Sequence, residues 1–296
     1  MNRRGFRIIL VLGLAAAAVG LCISLTSSHK EEAVLPDGRV QLRLNEALTN
    51  EISDTSALTG LDTKIQSYMR QWGLHGASLA IMRNDSLVYA KGYGWADEEK
   101  QVKMQPPNIL RVASVSKLLT AAGIMLLQDQ GKLNIKDTVF GPRGILTDTT
   151  YTSVMKDPNY KKITVEDLLR HKGGFTSYGG DPMFSTRTIM QTNHLDTPPD
   201  NTELMRIMLR RRLRFVPGTS QYYSNFGYLL LSKVIEEVSG QPYEEFMQKN
   251  VLEPAGCYDM HIAGNYYKDK RKNEVRYYNG ADTCLVDEFN NSGNMV

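Results

Sequence analysis

Cysteine and excess charge of a single sign are both scarce in this chain, and each scarcity excludes a class of protein. Three cysteines in 296 residues are too few for a disulfide-rich secreted scaffold. A formal net charge of +3 is too small to indicate a nucleic-acid partner. The sequence contains no His/Cys/Asp/Glu cluster with metal-site spacing and no glycine-rich phosphate loop. We therefore expect no metal, no organic cofactor and no nucleic acid.

The composition is that of a globular protein with a large core, since 42% of the residues are hydrophobic and 23% are charged. The first 28 residues differ from the rest. Three arginines (Arg3, Arg4 and Arg7) precede an uncharged run from Ile8 to Ser28, and this pattern predicts export. The run is long enough for an uncleaved anchor, while its alanines also suit signal-peptide cleavage, so both alternatives stay open. Lipidation at Cys22 is less favoured, because the preceding Leu21 is not small.

The predicted organisation has three parts: a signal peptide or signal anchor at 1–28, a polar linker at 29–57 and a hydrolase domain at 58–296. We expect the domain to lie outside the cytoplasm, in the periplasm or anchored to the membrane by the N-terminal segment. Two cysteines remain in the exported part, Cys257 and Cys284, and whether they pair is left open.

The first motif that indicates chemistry is Ser114-Val115-Ser116-Lys117, where a polar stretch leads into an apolar helix. Residues three apart share one face of a helix, so Ser114 and Lys117 are expected side by side. A lysine desolvated against an apolar helix can be neutral and accept the serine's proton, which makes the hydroxyl a nucleophile. Taken alone, however, such a motif more often marks a serine helix cap followed by a surface lysine.

The second motif, Tyr223-Ser224-Asn225, leads into another amphipathic helix, which ends at Gly240. Tyr223 offers a phenol that can relay a proton, and Asn225 offers a carboxamide that can hold a substrate amide. By itself the segment also fits an ordinary turn before a helix. The presence of both motifs in one chain favours acyl transfer over either structural interpretation.

These motifs resemble those of the serine β-lactamase and penicillin-binding protein superfamily, in particular its class C β-lactamase-like branch. Further segments resemble that branch in the same order along the chain: 76–82, 85–94, 109–113, 130–134, 163–171, 243–247 and 252–256. The resemblance implies a mixed α/β (α+β) fold, in which helices and a helical subdomain flank an antiparallel sheet. The active site is then expected between the sheet and the helical subdomain.

The resemblance also implies an exported serine hydrolase that forms an acyl-enzyme on an amide, a β-lactam or an ester. D-alanyl peptides, including those of peptidoglycan, and β-lactams are the favoured substrates. Ser114 is the expected nucleophile and Lys117 its base, while Tyr223 relays a proton and Asn225 orients the substrate. The alternative is a membrane-tethered binding or sensor module that does not turn over a substrate.

The superfamily's third signature, Lys- or His-x-Gly on a late strand, does not follow Tyr223 in this sequence. The resemblance therefore implies that late strands are missing from the 296 residues, and that a chain ending there has little activity. His171-Lys172-Gly173 has the right residue types but precedes Tyr223. We interpret it as the end of a helix with glycine in the left-handed conformation.

Local patterns predict a helix near 59–72 and two strands near 77–83 and 86–93, joined by a tight turn at Asn84-Asp85. Further helices are predicted near 164–171 and 202–213. Thr164 and Asp167 form a predicted N-terminal cap for the first of these.

Overall fold

The structure is a computed structural model that describes residues 33–34, 40–41, 48–53, 58–175, 180–264 and 269–278. The chain divides into two units, Met1–Leu48 and Thr49–Val296. In the first unit, β1 (Ala33–Val34) and β2 (Val40–Gln41) pair antiparallel. The predicted export segment lies outside the described residues. Within the described part of the chain, no helix is both long and apolar enough to cross a membrane.

The second unit contains the predicted hairpin. Strands β3 (Gly76–Arg83) and β4 (Ser86–Asp97) pair antiparallel, and β5 (Val102–Lys103) pairs with the other edge of β4. Asn84 and Asp85 form the connecting turn with φ of 48° and 59°. A two-residue hairpin turn of this kind requires positive φ at both positions, and Asn and Asp tolerate it better than most residues.

Part of the segment predicted as a linker contacts the sheet. A 3-10 turn, Asn50–Ser53, lies beside β4. The Ser53 hydroxyl donates to the Ala90 carbonyl at 2.8 Å, and the Gly92 N–H donates to Asn50 Oδ1 at 2.8 Å. Residues 50–53 of the predicted linker therefore belong to the second compact unit, Thr49–Val296.

Helix α1 (Thr59–Trp72) is held to β4 by a partly buried polar cluster centred on Asp62. Tyr89 and Tyr93 each donate a hydroxyl hydrogen bond to Asp62 Oδ1 at 2.7 Å, and Lys91 Nζ lies 3.0 Å from Asp62 Oδ2. Burial alone would raise the pKa of Asp62, but the hydrogen bonds from Tyr89, Tyr93 and Lys91 hold it below its ordinary value.

This cluster predicts a specific pH dependence of stability. Because the pKa of Asp62 is lower in the folded chain, its stabilising contribution is present above its ordinary pKa of about 4 and is lost as the pH falls through the folded value. We expect Asp62→Asn to lower the free energy of unfolding by about 1–3 kcal/mol at neutral pH, and the difference from wild type to shrink below about pH 4.

Urea unfolding at neutral and acid pH measures this difference. The control is Asp85→Asn, at an exposed aspartate in the hairpin turn, where asparagine also accepts the positive φ. A difference between wild type and Asp62→Asn that does not change with pH would contradict the assignment.

The remaining helices form the layer that carries the two motifs. They are α2 (Ser116–Asp129), α3 (Thr149–Thr152), α4 (Val165–Leu169), α5 (Thr186–Asn193), α6 (Asn201–Leu209), α7 (Asn225–Ser239) and α8 (Tyr243–Met247). Shorter turns follow 3-10 geometry at Ala113–Val115, Pro158–Lys162 and Glu253–Ala255, and π geometry at Gln248–Leu252. The Thr164–Asp167 capping box at the start of α4 is confirmed. Helices α4 and α6 both end earlier than predicted.

Helix α2 packs against α7 through its buried face. Gly123 allows the close approach of α8, because a Cβ at this position would lie 2.9 Å from Met247 Sδ. One large apolar cluster fills the space between these helices; its fully buried members include Ile124, Leu127, Phe140, Tyr160, Phe226, Leu230 and Phe246. The ends of α2 and α7 that bear the motifs are therefore fixed to one rigid core.

Candidate active site

Ser114 and Lys117 lie at the junction between a 3-10 turn and α2. The sequence placed both residues on one helix, but the α-helix begins only at Ser116. Ala113–Val115 form a 3-10 turn that starts with a left-handed φ of 45° at Ala113. The spacing still brings the two side chains together. Lys117 Nζ lies 3.3 Å from Ser114 Oγ, within reach for proton exchange.

Neighbouring serines have structural partners that Ser114 lacks. The Ser116 hydroxyl donates to the Ala113 carbonyl at 2.6 Å, and Ser116 is 9% exposed. Ser224 Oγ accepts the Gly227 N–H at 3.0 Å as the N-cap of α7, and Ser224 is 8% exposed. Ser114 is exposed, and its oxygen faces Lys117 and Tyr223. Of these three hydroxyls, that of Ser114 is therefore the one a substrate can reach.

Tyr223 approaches Ser114 from the other chain segment. The segment is extended up to Ser224, and α7 begins at Asn225, as the motif predicted. The Tyr223 hydroxyl donates to Ser114 Oγ at 2.7 Å, across 109 positions of sequence. Ser114 Oγ therefore has an amine on one side and a phenol on the other, which are groups that can remove a proton and return it.

Lys117 is surrounded by the second motif. Its Nζ donates to Asn225 Oδ1 at 2.6 Å and lies 4.9 Å from the centre of the Tyr223 ring. The Tyr228 ring, one turn further along α7, is 5.6 Å away. These contacts fix the position of the amine relative to Ser114 through an amide oxygen and two aromatic faces.

A cavity of about 320 Å³ adjoins Lys117 and Asn225 and runs between α2 and α7. Thr120, Ser232 and Tyr243 contribute to its walls. Among the described residues, no group of three or more His, Cys, Asp or Glu side chains is arranged to hold a metal ion. Cys284 lies outside the described residues, so whether it pairs with Cys257 stays open.

His171 lies at the site, although sequence reasoning assigned it to a helix end only. Helix α4 does end there, but the residue that turns left-handed after the C-cap is His171 (φ 58°) rather than the predicted Gly173. Its ring lies 4.5 Å from the Tyr223 ring and 5.2 Å from that of Tyr228. His171-Lys172-Gly173 matches the His-x-Gly pattern, and this match, which we interpreted as a helix end, was the sequence feature that could have indicated His171.

The His171 ring is held neutral. Its Nδ1 accepts the backbone N–H of Ser224 at 3.2 Å, which requires that nitrogen to carry no proton. Burial, and after it the charge of Lys117, lowers the pKa of His171 below its ordinary value of 6.5. The neutral ring thus connects the end of α4 to the backbone of the Tyr223 loop.

We expect His171 to make the protein less stable in mild acid. The unfolded chain binds a proton at this residue first as the pH falls below about 6.5, so stability declines from there towards the lower folded pKa. His171→Asn keeps a hydrogen-bond acceptor and tolerates positive φ but does not titrate. Its melting temperature should therefore fall less than that of wild type between about pH 7.5 and about pH 5.5.

The matched control for this experiment is His194→Asn. His194 is an exposed histidine, also left-handed (φ 53°), at the C-cap of α5. Its substitution makes the same histidine-to-asparagine change at a left-handed position away from the Tyr223 loop. If His171→Asn and wild type lose stability equally in acid, the neutral-ring assignment is wrong.

Asp181 is a second residue that sequence reasoning missed, and no motif pointed to it. It lies in the loop before α5, and its Oδ2 accepts the Asn225 Nδ2–H at 2.8 Å. The described site thus contains Ser114, Lys117, Tyr223 and Asn225, which sequence predicted, together with His171 and Asp181, which it did not.

Sequence comparison matches residues 61–295 to the family described as Beta-lactamase. "Putative penicillin-binding protein PbpX" of Bacillus subtilis (strain 168) is 28% identical over 280 residues, which cover 92% of this chain and 63% of that protein. "Protein flp" of Staphylococcus aureus (strain COL) is 27% identical over 232 residues, which cover 78% of this chain and 43% of that protein. The chain thus spans less than two thirds of the length of either relative.

Solved structures with the same fold include the octameric penicillin-binding protein homologue from Pyrococcus abyssi. It is 28% identical with a TM-score of 0.60, over 77% of this chain and 50% of that one. A class C beta lactamase is 22% identical with a TM-score of 0.60, over 79% of this chain and 59% of that one, and supports the fold alone. The expected fold class and the sequence resemblance are both confirmed.

Proposed function

The chain belongs to the beta-lactamase family, whose members are serine hydrolases, and we propose that it forms an acyl-enzyme on Ser114. The observation that carries this proposal is the position of one accessible hydroxyl between two proton-transfer groups. Ser114 Oγ lies 3.3 Å from the Lys117 amine and 2.7 Å from the Tyr223 hydroxyl. Such mutual geometry of nucleophile and base is the feature expected of covalent catalysis.

In the proposed acylation, the resting Lys117 ammonium first loses one proton to solvent. Ser114 Oγ then attacks the substrate carbonyl carbon while its proton passes to the neutral amine so formed. The resulting oxyanion is stabilised by the Ser114 N–H, at the N-terminal end of the helical segment. When the tetrahedral intermediate collapses, the bond to the leaving group breaks and the leaving group takes a proton. Tyr223, whose hydroxyl already points at Ser114 Oγ, relays that proton.

In the proposed deacylation, a water molecule attacks the acyl carbon and gives up a proton as the bond to Ser114 Oγ breaks. Tyr223 accepts the water's proton as its own hydroxyl proton passes, directly or by way of Lys117, to Ser114 Oγ. Asn225 orients the substrate through the amide hydrogen that it does not donate to Asp181. The enzyme thereby returns to its starting protonation state.

We propose a carbonyl substrate of the D-alanyl peptide or β-lactam class. Support comes from the names of two relatives that are 28% identical, one called a penicillin-binding protein and the other a penicillin-binding protein homologue. Esters remain the third class, because the same nucleophile, base and relay act on any activated acyl group.

The test is pre-steady-state kinetics of the full-length protein with nitrocefin, p-nitrophenyl acetate and a D-alanyl-D-alanine peptide. A burst of one equivalent followed by steady turnover is expected for the hydrolase. A burst without turnover would contradict the hydrolase and would favour the alternative, a binding module that does not turn over its ligand. No burst and no turnover with any of the three would overturn the acyl-enzyme proposal.

We also propose that the domain functions outside the cytoplasm, because three arginines precede the apolar run at 8–28. An alkaline phosphatase fused after residue 60 should be active, since the reporter folds only after export. A fusion that is well expressed but inactive would contradict this location. Carbonate extraction then distinguishes an uncleaved anchor from a cleaved signal peptide, because only the anchored protein stays in the membrane pellet.

A further inference from the structure

Lys117, Asn225 and Asp181 form a continuous chain of hydrogen bonds that ends in a carboxylate. Lys117 Nζ donates to Asn225 Oδ1 at 2.6 Å, and Asn225 Nδ2 donates to Asp181 Oδ2 at 2.8 Å. Both distances are typical of hydrogen bonds with one charged partner. The Asn225 amide therefore connects a cation on α2 to an anion on the loop before α5.

The two charges determine which way the Asn225 amide faces. In the observed orientation its oxygen accepts from the amine and its NH₂ group donates to the carboxylate. A flip would place the NH₂ group against the Lys117 amine and the oxygen against the Asp181 carboxylate, so both contacts would become repulsive. Without Asp181, only the contact with Lys117 would select the observed orientation.

Asp181 is itself held in place. Its second oxygen, Oδ1, accepts the Met183 N–H at 2.9 Å, and its carbonyl accepts the Phe184 N–H at 3.0 Å. Met183 is 7% exposed and belongs to the large apolar cluster. The carboxylate is thus fixed to the core, which allows it to impose an orientation on Asn225 rather than to follow it.

From this geometry we propose that Asp181 is a positioning residue that acts on Lys117 through Asn225. By fixing the amide, Asp181 keeps an oxygen facing Lys117 and so keeps the amine 3.3 Å from Ser114 Oγ. The inference rests on the proposed acyl-enzyme function, since positioning Lys117 has a kinetic effect only if Lys117 activates Ser114. Asp181 itself touches neither Ser114 nor, in the proposed mechanism, the reacting carbonyl.

The informative substitution is Asp181→Asn. Asparagine can still accept the Met183 N–H with its oxygen, so the turn and the fold are retained. Its NH₂ group then faces Asn225, which favours the flipped amide and turns an NH₂ group towards Lys117. We expect acylation of Ser114 by a fluorophosphonate to slow on the order of 10- to 100-fold, because small misplacements of catalytic groups cost this much. The melting temperature should stay close to that of wild type.

A double-mutant cycle separates positioning from a purely structural role. In an Asn225→Ala background Asp181 has no amide to orient, so adding Asp181→Asn should leave the acylation rate unchanged. Asp181→Ser can still cap the Met183 N–H through its hydroxyl but presents no NH₂ group to Asn225. It serves as a second variant and should slow acylation less than Asp181→Asn, again only where Asn225 is present.

The outcomes are distinct. The inference is supported if Asp181→Asn slows acylation when Asn225 is present but not when residue 225 is alanine. Wild-type rates, or an equal slowing in both backgrounds, overturn it and leave the proposed function intact. If wild type is not acylated at all, the proposed function fails, and the inference fails with it.

Discussion

In the full-length protein, replacement of Ser114 by alanine should abolish acylation and hydrolysis, with a loss of roughly 10⁶-fold in rate, as expected when a nucleophile is removed. The change removes the one oxygen that both Lys117 and Tyr223 contact, at 3.3 and 2.7 Å. Because Ser114 is exposed, the free energy of unfolding should change by no more than about 0.5 kcal/mol. Steady-state rates with nitrocefin and p-nitrophenyl acetate, together with urea unfolding, measure both quantities.

The matched control is Ser116→Ala, two residues away. It removes the hydroxyl that donates to the Ala113 carbonyl at 2.6 Å, so stability should fall by about 1 kcal/mol while turnover persists. The reverse pattern, with Ser116→Ala inactive and Ser114→Ala active, would show that the wrong serine has been assigned as nucleophile.

Replacement of Lys117 should give the second largest effect. Lys117→Ala removes the proposed base, and acylation should slow by about 10²–10⁴-fold. Lys117→Arg separates two explanations, because an arginine keeps the positive charge but cannot take a proton near neutral pH. On the general-base account, Lys117→Arg should be as slow as Lys117→Ala.

The acylation rate of each variant is measured by rapid mixing with a fluorophosphonate. Lys249→Ala is the control, because Lys249 is a lysine on the surface of the same unit, paired with Glu245 at 2.7 Å. Near-wild-type acylation by Lys117→Arg would contradict the general-base role and would indicate that Lys117 supplies charge only.

Local sequence patterns predicted much of the fold. The positive φ of Asn84 and Asp85 was predictable because few residues tolerate a two-residue hairpin turn. The capping box at Thr164 and Asp167 was likewise encoded within four residues. The contact between 50–53 and β4 was not predictable, since it depends on hydrogen bonds between segments about 40 positions apart.

In the candidate site, too, local features were predictable and contacts between distant segments were not. Ser114 and Lys117 come together through helical spacing, and Tyr223 and Asn225 were recognisable as a second motif. Their meeting across 109 positions of sequence follows from the packing of α2 against α7, which no local pattern specifies. Asp181 was missed because one carboxylate in a loop carries no signal until its partner, the Asn225 amide, is known.

His171 was misassigned for a different reason. The end of α4 was predicted, but glycine was expected at the left-handed position, where histidine is uncommon. A non-glycine residue with positive φ is a place to look for function, because its backbone strain must be offset by other contacts. Here those contacts are the Ser224 N–H and the Tyr223 ring.

The central claim, that Ser114 is an activated nucleophile, is tested most directly by covalent labelling. The full-length protein is treated with a fluorophosphonate or a penicillin, digested, and mapped by mass spectrometry. We expect one adduct per chain, on Ser114, absent from Ser114→Ala and formed slowly by Lys117→Ala. An adduct on Ser116 or Ser224, or no adduct on a sample that hydrolyses its substrate, would contradict it.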